Sequence, residues 1–406
     1  MAAPTTSVPE GAAAPASRSA LVFIVITIFI DMLGIGIMIP VIPFMVRRFS
    51  ADALTIGLLS GAFAVCQFVA APILGRLSDR HGRRPLLLLS LFGTGVGYVF
   101  FGAAQSLAMM FFARILDGIT GGNISIAQAY IADVTRPEDR SKNFGLVGAA
   151  FGLGFIIGPA LGGALSHYGG LSAPAYCAAA LAFGNTIFGY FRLPESLPTD
   201  RRSDTRVTAR HANPLPSLVA ALRQQPLGTL LIATFVFNFA FVGLQSNFVF
   251  FSLERFGWGP GQNAALFSVV GILGAFMQGF LIRRLVGPFS DRALAVTGLA
   301  VQAASLFAIA FTRQAWLLFP ICGVMSLASG MATPTLTGLI SASAPGGEQG
   351  VIMGVTQSVN SLTRIFGPLW AGAMYDHVGQ SAPYWGGAVV TIVAVWLVAT
   401  VRLDKA

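Results

Sequence analysis

The chain has 406 residues and a mass of 42.5 kDa, of which 10% are charged and 55% hydrophobic, with a mean hydropathy of +0.73. An ordinary soluble domain is about 25% charged, so the 25 basic and 16 acidic side chains here are too few to solvate a soluble protein of this length. A soluble enzyme on one anchor is excluded as well, because no polar stretch is long enough for a catalytic domain; the composition implies an all-α integral membrane protein.

Residues 1–18, rich in Ala, Pro, Thr and Ser, read as a disordered tail. The apolar run behind them is long enough to span and continues into further helices, unlike a signal peptide. A bilayer crossing takes roughly 20 apolar residues. On that measure helices are predicted near 19–46, 54–75, 85–104, 107–132, 143–166, 172–193, 226–254, 262–282, 293–312, 315–341, 351–375 and 382–401. The longest polar stretch, 194–225, holds Pro194, Pro198, Pro214 and Pro216 and divides these helices six and six. The expected organisation is an N-terminal bundle at 19–193, a cytoplasmic central loop at 194–225 and a C-terminal bundle at 226–406.

The net charge of +9 records orientation and gives no reason to expect a nucleic-acid partner. With Met1 in the cytoplasm, 19 of the 25 Lys and Arg fall in cytoplasmic segments: Arg18, Arg76, Arg80, Arg83, Arg84, Arg136, Arg140, Lys142, Arg192, Arg201, Arg202, Arg206, Arg210, Arg223, Arg283, Arg284, Arg292, Arg402 and Lys405. Only Arg47, Arg48, Arg255 and Arg313 fall on the other side. This positive-inside asymmetry predicts both termini in the cytoplasm. Cys66, Cys177 and Cys322 are scattered without CxxC spacing, and the histidines are equally dispersed, so neither a disulfide framework nor a metal site is expected.

A weak internal repeat relates the halves. The segment 75–85 reads GRLSDRHGRRP, and 283–292 reads RRLVGPFSDR, a degraded version of it. Gly158-Pro-Ala-Leu-Gly-Gly163 in helix 5 corresponds to Gly367-Pro-Leu-Trp-Ala-Gly372 in helix 11. Two six-helix halves related in this way suit a rocking transporter with its site between them near the midplane. No GxxxxGK[ST] occurs, which points to an ion gradient as the energy source and to no cofactor.

Four charges lie clearly inside the predicted membrane region, away from helix ends: Asp31, Arg114, Asp117 and Arg364. Asp31 lies about 18 Å along helix 1 at 1.5 Å per residue. A carboxylate at that depth is costly and faces a cavity or a partner. It is either an ion-pair partner of Arg114 or a group that exchanges a proton as its surroundings alternate between dry and wet. Arg114 and Asp117, three apart, share one face of helix 4 and are placed to neutralise each other. Arg364 either holds an anionic substrate group, pairs with Asp31 or Asp117, or packs against backbone carbonyls. Polar residues in apolar helices add cavity candidates: Gln67, Asn123, Gln128, Asn238, Gln245, Asn247, Gln302 and Gln357. Helix 7 also sets Phe237, Phe241, Gln245 and Phe248 along one stripe, a pattern suited to a lipophilic ligand.

The chain resembles the major facilitator superfamily, and within it the twelve-helix drug:proton antiporters, closest to the tetracycline efflux pumps. The residues that carry the resemblance are Asp31–Pro40 (DMLGIGIMIP), 75–85, Arg114–Gly121 (RILDGITG), Ala129–Asp133 (AYIAD) and Gly154–Gly163 (GFIIGPALGG). It implies a fold of two pseudo-symmetric six-helix bundles. It implies that Gly75, Asp79, Arg80, Gly82, Arg83 and Arg84 form a conformational latch, with Asp79 capping helix 11 when the cytoplasmic side closes. Asp31 and Arg114 are implied in proton coupling, with Asp117 a second proton carrier or a counter-ion of Arg114. Gly154, Gly158, Pro159, Gly162 and Gly163 are similar to the antiporter motif, which is held to seal the bundle interface against leak. The implied activity is proton-coupled efflux of a lipophilic drug or metabolite by a monomer in the plasma (bacterial inner) membrane, with import by a symporter or uniporter of the same fold as the alternative. The tetracycline pumps carry acids in helices 3 and 9 where this chain has Gly97 and Gln302, so tetracycline itself is in doubt as a substrate.

Overall fold

The computed structural model describes residues 18–49, 52–135, 140–197, 199, 202, 215–343 and 349–401. The tail, most of the central connection, and Arg136, Arg201, Arg206, Arg210, Arg402 and Lys405 lie outside them. The described chain is helical: α1 (Arg18–Met38), α2 (Ile42–Val46), α3 (Ala53–His81), α4 (Arg83–Gly102), α5 (Leu107–Thr120), α6 (Asn123–Val134), α7 (Arg140–Gly169), α8 (Ala173–Arg192), α9 (Leu215–Arg223), α10 (Leu227–Phe256), α11 (Pro260–Phe276), α12 (Ile282–Leu285), α13 (Asp291–Phe311), α14 (Leu318–Ala342), α15 (Gln349–His377) and α16 (Ala382–Thr400). Among the described residues, eight helices are long and apolar enough by composition to cross a membrane. The pair α5–α6 with α7, α8 and α15 brings the spans to twelve.

Local chemistry accounts for several boundaries that hydropathy alone misplaces. Predicted helix 1 is interrupted near Pro40, which has no N–H to donate; α1 ends at Met38 and the short α2 follows. Predicted helix 4 breaks at Gly121–Gly122 into α5 and α6. A single π-helical turn, Met277–Leu281, follows α11. The stretch 75–85 is no loop at all. Helix α3 runs on to His81, Gly82 turns the chain with φ 104°, and α4 starts at Arg83. That φ is accessible to glycine and strained for any residue with a Cβ.

In the first half α1 packs on α7 and α8, while α4 packs on α5 and α8. In the second half α13 packs on α14 and α16, and α10 on α15 and α16. The two six-helix bundles meet where α3 lies on α15 and α7 on α11.

Among the described residues, the contact between halves is concentrated at one end. There a single apolar core runs across both bundles, from Met38, Met45 and Phe101 to Phe248, Trp258 and Tyr375. Towards the other end it divides into one cluster per half, around Ile24 and Tyr130 in the first and around Leu230 and Val398 in the second. Glycines report the same asymmetry. A Cβ on Gly57 would stand 2.5 Å from the Pro368 carbonyl, and one on Gly372 would stand 2.8 Å from the Ala53 carbonyl. Gly75 and Gly354, at the opposite ends of α3 and α15, have open space beside them, as have Gly152 of α7 and Gly279 after α11. Among the described residues, three hydrogen bonds join the halves. Asp376 at the end of α15 accepts from the Ala53 and Leu54 N–H groups at 3.1 and 2.7 Å, and Ser268 donates to the Ile156 carbonyl at 3.5 Å. Asp376 thereby caps the N-terminus of α3, whose own N-cap Asp52 accepts from the Thr55 N–H at 2.9 Å.

Candidate functional site

Between the halves lies a cavity of about 340 Å³. Its wall is unequal. The first half contributes Asp31, Ser60, Phe63, Gln67, Thr94, Tyr98, Arg114, Asp117 and Asn123 with apolar residues of α1; the second half contributes Val242, Gln245, Ser246, Arg364 and Pro368. All four intramembrane charges found in the sequence therefore face one space.

Arg114 and Asp117 pair at 3.2 Å, as one face of α5 requires. The guanidinium carbon also sits 4.3 Å from the centre of the Phe63 ring, so α3 fixes the outer side of the arginine. Asp117 is 6% exposed and has the Thr94 side chain beside it. A Cβ on Gly97 of α4 would lie 3.1 Å from the Asp117 Cβ. Asp117 thus projects from α5 towards the Gly97 position of the facing helix.

Asp31 is 8% exposed, and the Asn123 side chain lies beside it. Asn123 reaches this position because the break at Gly121–Gly122 makes it the first residue of α6. Among the described residues no cation lies within ion-pairing distance of Asp31, and the like charge of Asp117 acts on it across the cavity. The pairing of Asp31 with Arg114 that the sequence left open is not made here. Arg364 stands exposed on the cavity wall from α15 with no hydrogen bond or ion pair to any described residue, and so pairs with neither aspartate.

Other predicted cavity residues divide according to what else they touch. Gln67 lines the wall and donates to the Gly121 carbonyl at 3.1 Å, holding the helix break in place; Gln245 also lines the wall. Asn238 is turned into the bundle, donating to Asn360 at 3.0 Å. Phe241 packs against the shared core in which Phe248 is fully buried, Phe237 is fully buried in the cluster of the second half, and so the aromatic stripe of α10 serves packing except at Gln245. Gln302 is buried and accepts from Ser329, and Asn247 is buried away from the wall. Gln128 and Gln357 are exposed beyond the residues that line the cavity. Tyr98, Thr94, Ser60, Phe63 and Ser246 reach the wall without a sequence signal, because nothing in an apolar helix marks which face meets the space.

The latch residues form a compact corner within the first half. Arg83 pairs with Asp79 at 2.5 Å and with Asp133 at 3.0 Å, and bonds Ser78 at 2.7 Å. Glu195, not singled out in the sequence, accepts from the Arg83 and Arg84 N–H groups at 2.8 and 3.3 Å and so caps α4. Arg84 donates to the Tyr190 carbonyl, while Arg80 is exposed. Asp79 therefore pairs with Arg83 here, and the described start of α15 is not held by it; the cap between halves is Asp376, at the opposite end.

The antiporter-motif glycines have two targets. A Cβ on Gly154 would meet Met32 at 2.7 Å, one on Gly158 the Gly36 Cα at 2.6 Å, and one on Gly162 the Ile37 carbonyl, so these three bring α7 onto α1. Gly163 alone turns to the other half, against Ala264 of α11. Pro159 is buried in the same helix.

The family model of the Major Facilitator Superfamily matches residues 24–368 and 289–406. The chain is 34% identical to the class C tetracycline resistance protein of Escherichia coli over 393 residues, covering 96% of this chain and 97% of that one. It is 30% identical to multidrug resistance protein 2 of Bacillus subtilis over 360 residues, covering 88% and 89%. Among solved structures, the human organic anion transporter MFSD10 (TETRAN) superposes with a TM-score of 0.72 at 27% identity, covering 95% of this chain and all of that one.

Proposed function

The chain belongs to the major facilitator superfamily, whose fold of twelve helices in two bundles it shares, and we propose that it is a proton-coupled efflux antiporter of the plasma membrane for a lipophilic drug or metabolite. The observation that carries this reading is the placement of two buried carboxylates, Asp31 and Asp117, on the wall of a cavity shared by both halves. The cavity is shut at the end where Asp376 caps α3, and the halves part at the end that holds the basic corner of Arg80, Arg83 and Arg84. Positive-inside orientation makes that open end cytoplasmic. Cargo enters there, the halves rock, and the site opens outward. A proton from outside then loads Asp31, with Asp117 and Arg114 as its charged neighbours, displaces the cargo and resets the protein. Relatives described as tetracycline and multidrug resistance proteins support export as the direction.

The test is export from energised cells, or uptake into everted vesicles, with a protonophore added while ATP is held constant. Collapse of transport is expected, and insensitivity would overturn proton coupling. Asp31→Asn, checked for normal expression, should lose exchange; normal transport by that variant would remove Asp31 from the mechanism.

A further inference from the structure

Charge bookkeeping on the cavity wall singles out two groups. Arg114 and Asp117 form an ion pair at 3.2 Å, and the arginine is further held over Phe63. What remains is an acid without a cation, Asp31 on α1, and a cation without an acid, Arg364 on α15. They belong to opposite halves and do not touch each other. An unpaired guanidinium at membrane depth is costly and calls for an anionic partner. Its planar fork suits a carboxylate, sulfonate or phosphate, and Gln245 and Ser246 of α10 add polar groups on the same side of the wall.

Arg364 alone would suggest any amphiphilic anion. Asp31 narrows the choice. A purely anionic cargo binds best beside a protonated Asp31, so proton and cargo would load together, which is symport. In an antiporter the two must compete for one site, and a cationic group on the cargo competes directly for the Asp31 carboxylate. We infer that the cargo is a dipolar amphiphile, with an anionic group seated on Arg364, a protonated basic group at Asp31, and an apolar or aromatic body between them. The body would lie along Met32, Ile35, Phe63 and Pro368. The cavity volume of about 340 Å³ fits a small drug-sized molecule. Because the two anchors sit on different halves, such a cargo draws the halves together as it binds, which a ligand held by one half does not. The cationic end of this inference rests on the antiport reading above; the anionic end rests on Arg364 alone.

The test is equilibrium binding to the purified full-length protein by fluorescence anisotropy, with three dyes of one xanthene skeleton. They are a rhodamine with a free carboxylate (zwitterion), its methyl ester (cation) and fluorescein (anion). The wild type is expected to bind the zwitterion roughly ten- to a hundredfold more tightly than the ester. Arg364→Gln should close that gap, and Arg364→Lys should restore most of it. Lowering the pH, within the range where the dye carboxylate stays ionised, should weaken zwitterion binding to the wild type more than to Asp31→Asn, in which Asp117 beside Arg114 is the acid left on the wall. Equal affinity for zwitterion and ester in the wild type, a gap that survives Arg364→Gln, or no binding of any of the three dyes overturns the proposal. If Arg364→Gln binds no dye, Arg364→Lys decides: a restored gap supports the anion site and an absent one removes it. Binding needs no gradient, so export that ignores a protonophore would sink the antiport reading while leaving the gap between dyes intact. A missing gap beside protonophore-sensitive export would sink the dipolar cargo alone.

Discussion

Replacing Asp376 with asparagine should release the closed end of the protein. The Asp376 carboxylate accepts from two amide groups at the start of α3, at 3.1 and 2.7 Å, and with the weaker Ser268 contact supplies the hydrogen bonds between halves among the described residues. A hydrogen bond to a charged group contributes about 1.5–3 kcal/mol, and an anion at an exposed helix N-terminus adds about 0.3–1 kcal/mol. Asparagine keeps the shape and one accepting oxygen but loses the charge and one bond. Asp376 is exposed, so the low end of the range applies, and the net loss is about 1.5–2 kcal/mol, which is roughly a ten- to thirtyfold shift in the ratio of the two conformations. The assay is a distance measurement between spin labels at Phe49→Cys and Val378→Cys, both exposed at this end, in a chain whose Cys66, Cys177 and Cys322 have been replaced. A new long-distance population is expected in Asp376→Asn. An unchanged distance distribution would show that the apolar core alone closes this end and would refute the reasoning.

Three further outcomes follow from the geometry. Asp117→Ala should lose most proton-driven transport, and adding Gly97→Asp should recover part of it, because the Gly97 Cβ position lies 3.1 Å from the Asp117 Cβ; vesicle uptake driven by a pH gradient reads both, and a double variant no better than the single one would reject the equivalence. Gly158→Ala should lower the thermal midpoint of the purified protein, since its methyl would stand 2.6 Å from the Gly36 Cα, where backbone cannot yield; overpacking costs about 1–3 kcal/mol. An unaltered midpoint would mean that α7 slides freely on α1. Glu195→Ala removes the cap of α4 and should cost about 1 kcal/mol of stability, again read from the thermal midpoint, with no change in which dye the protein prefers.

Hydropathy and charge placement were enough to read twelve spans and the all-α fold from the sequence, because lipid forces every span to be apolar and helical. Breaks within spans were harder to read. Pro40 and Gly121–Gly122 interrupt helices without changing hydropathy, and the second of these breaks is what turns Asn123 towards Asp31. The charged members of the cavity were legible for the same reason that they are rare: each is costly unless it faces polar space. Its uncharged members were not. Asn238 and Gln245 are equivalent as letters in one helix, yet one bonds Asn360 and the other reaches the wall. Glu195 escaped notice because it lies 112 residues from the Arg83 amide it caps, and no local pattern links them.

The inequality of the cavity wall bears on how such a protein acquires new cargo. Every carboxylate on the wall belongs to the first half, while the second half offers Val242, Gln245, Ser246, Arg364 and Pro368 and no acid. The two carboxylates proposed to carry the proton and the arginine proposed to seat the anionic end of the cargo are thus encoded in separate stretches of the gene. Under selection by a new toxic compound, substitutions at those five positions can reshape the second half's share of recognition while Asp31, Arg114 and Asp117 stay as they are. A lineage that exchanged second halves with a relative would inherit another's anion-facing wall and keep its own pair of carboxylates.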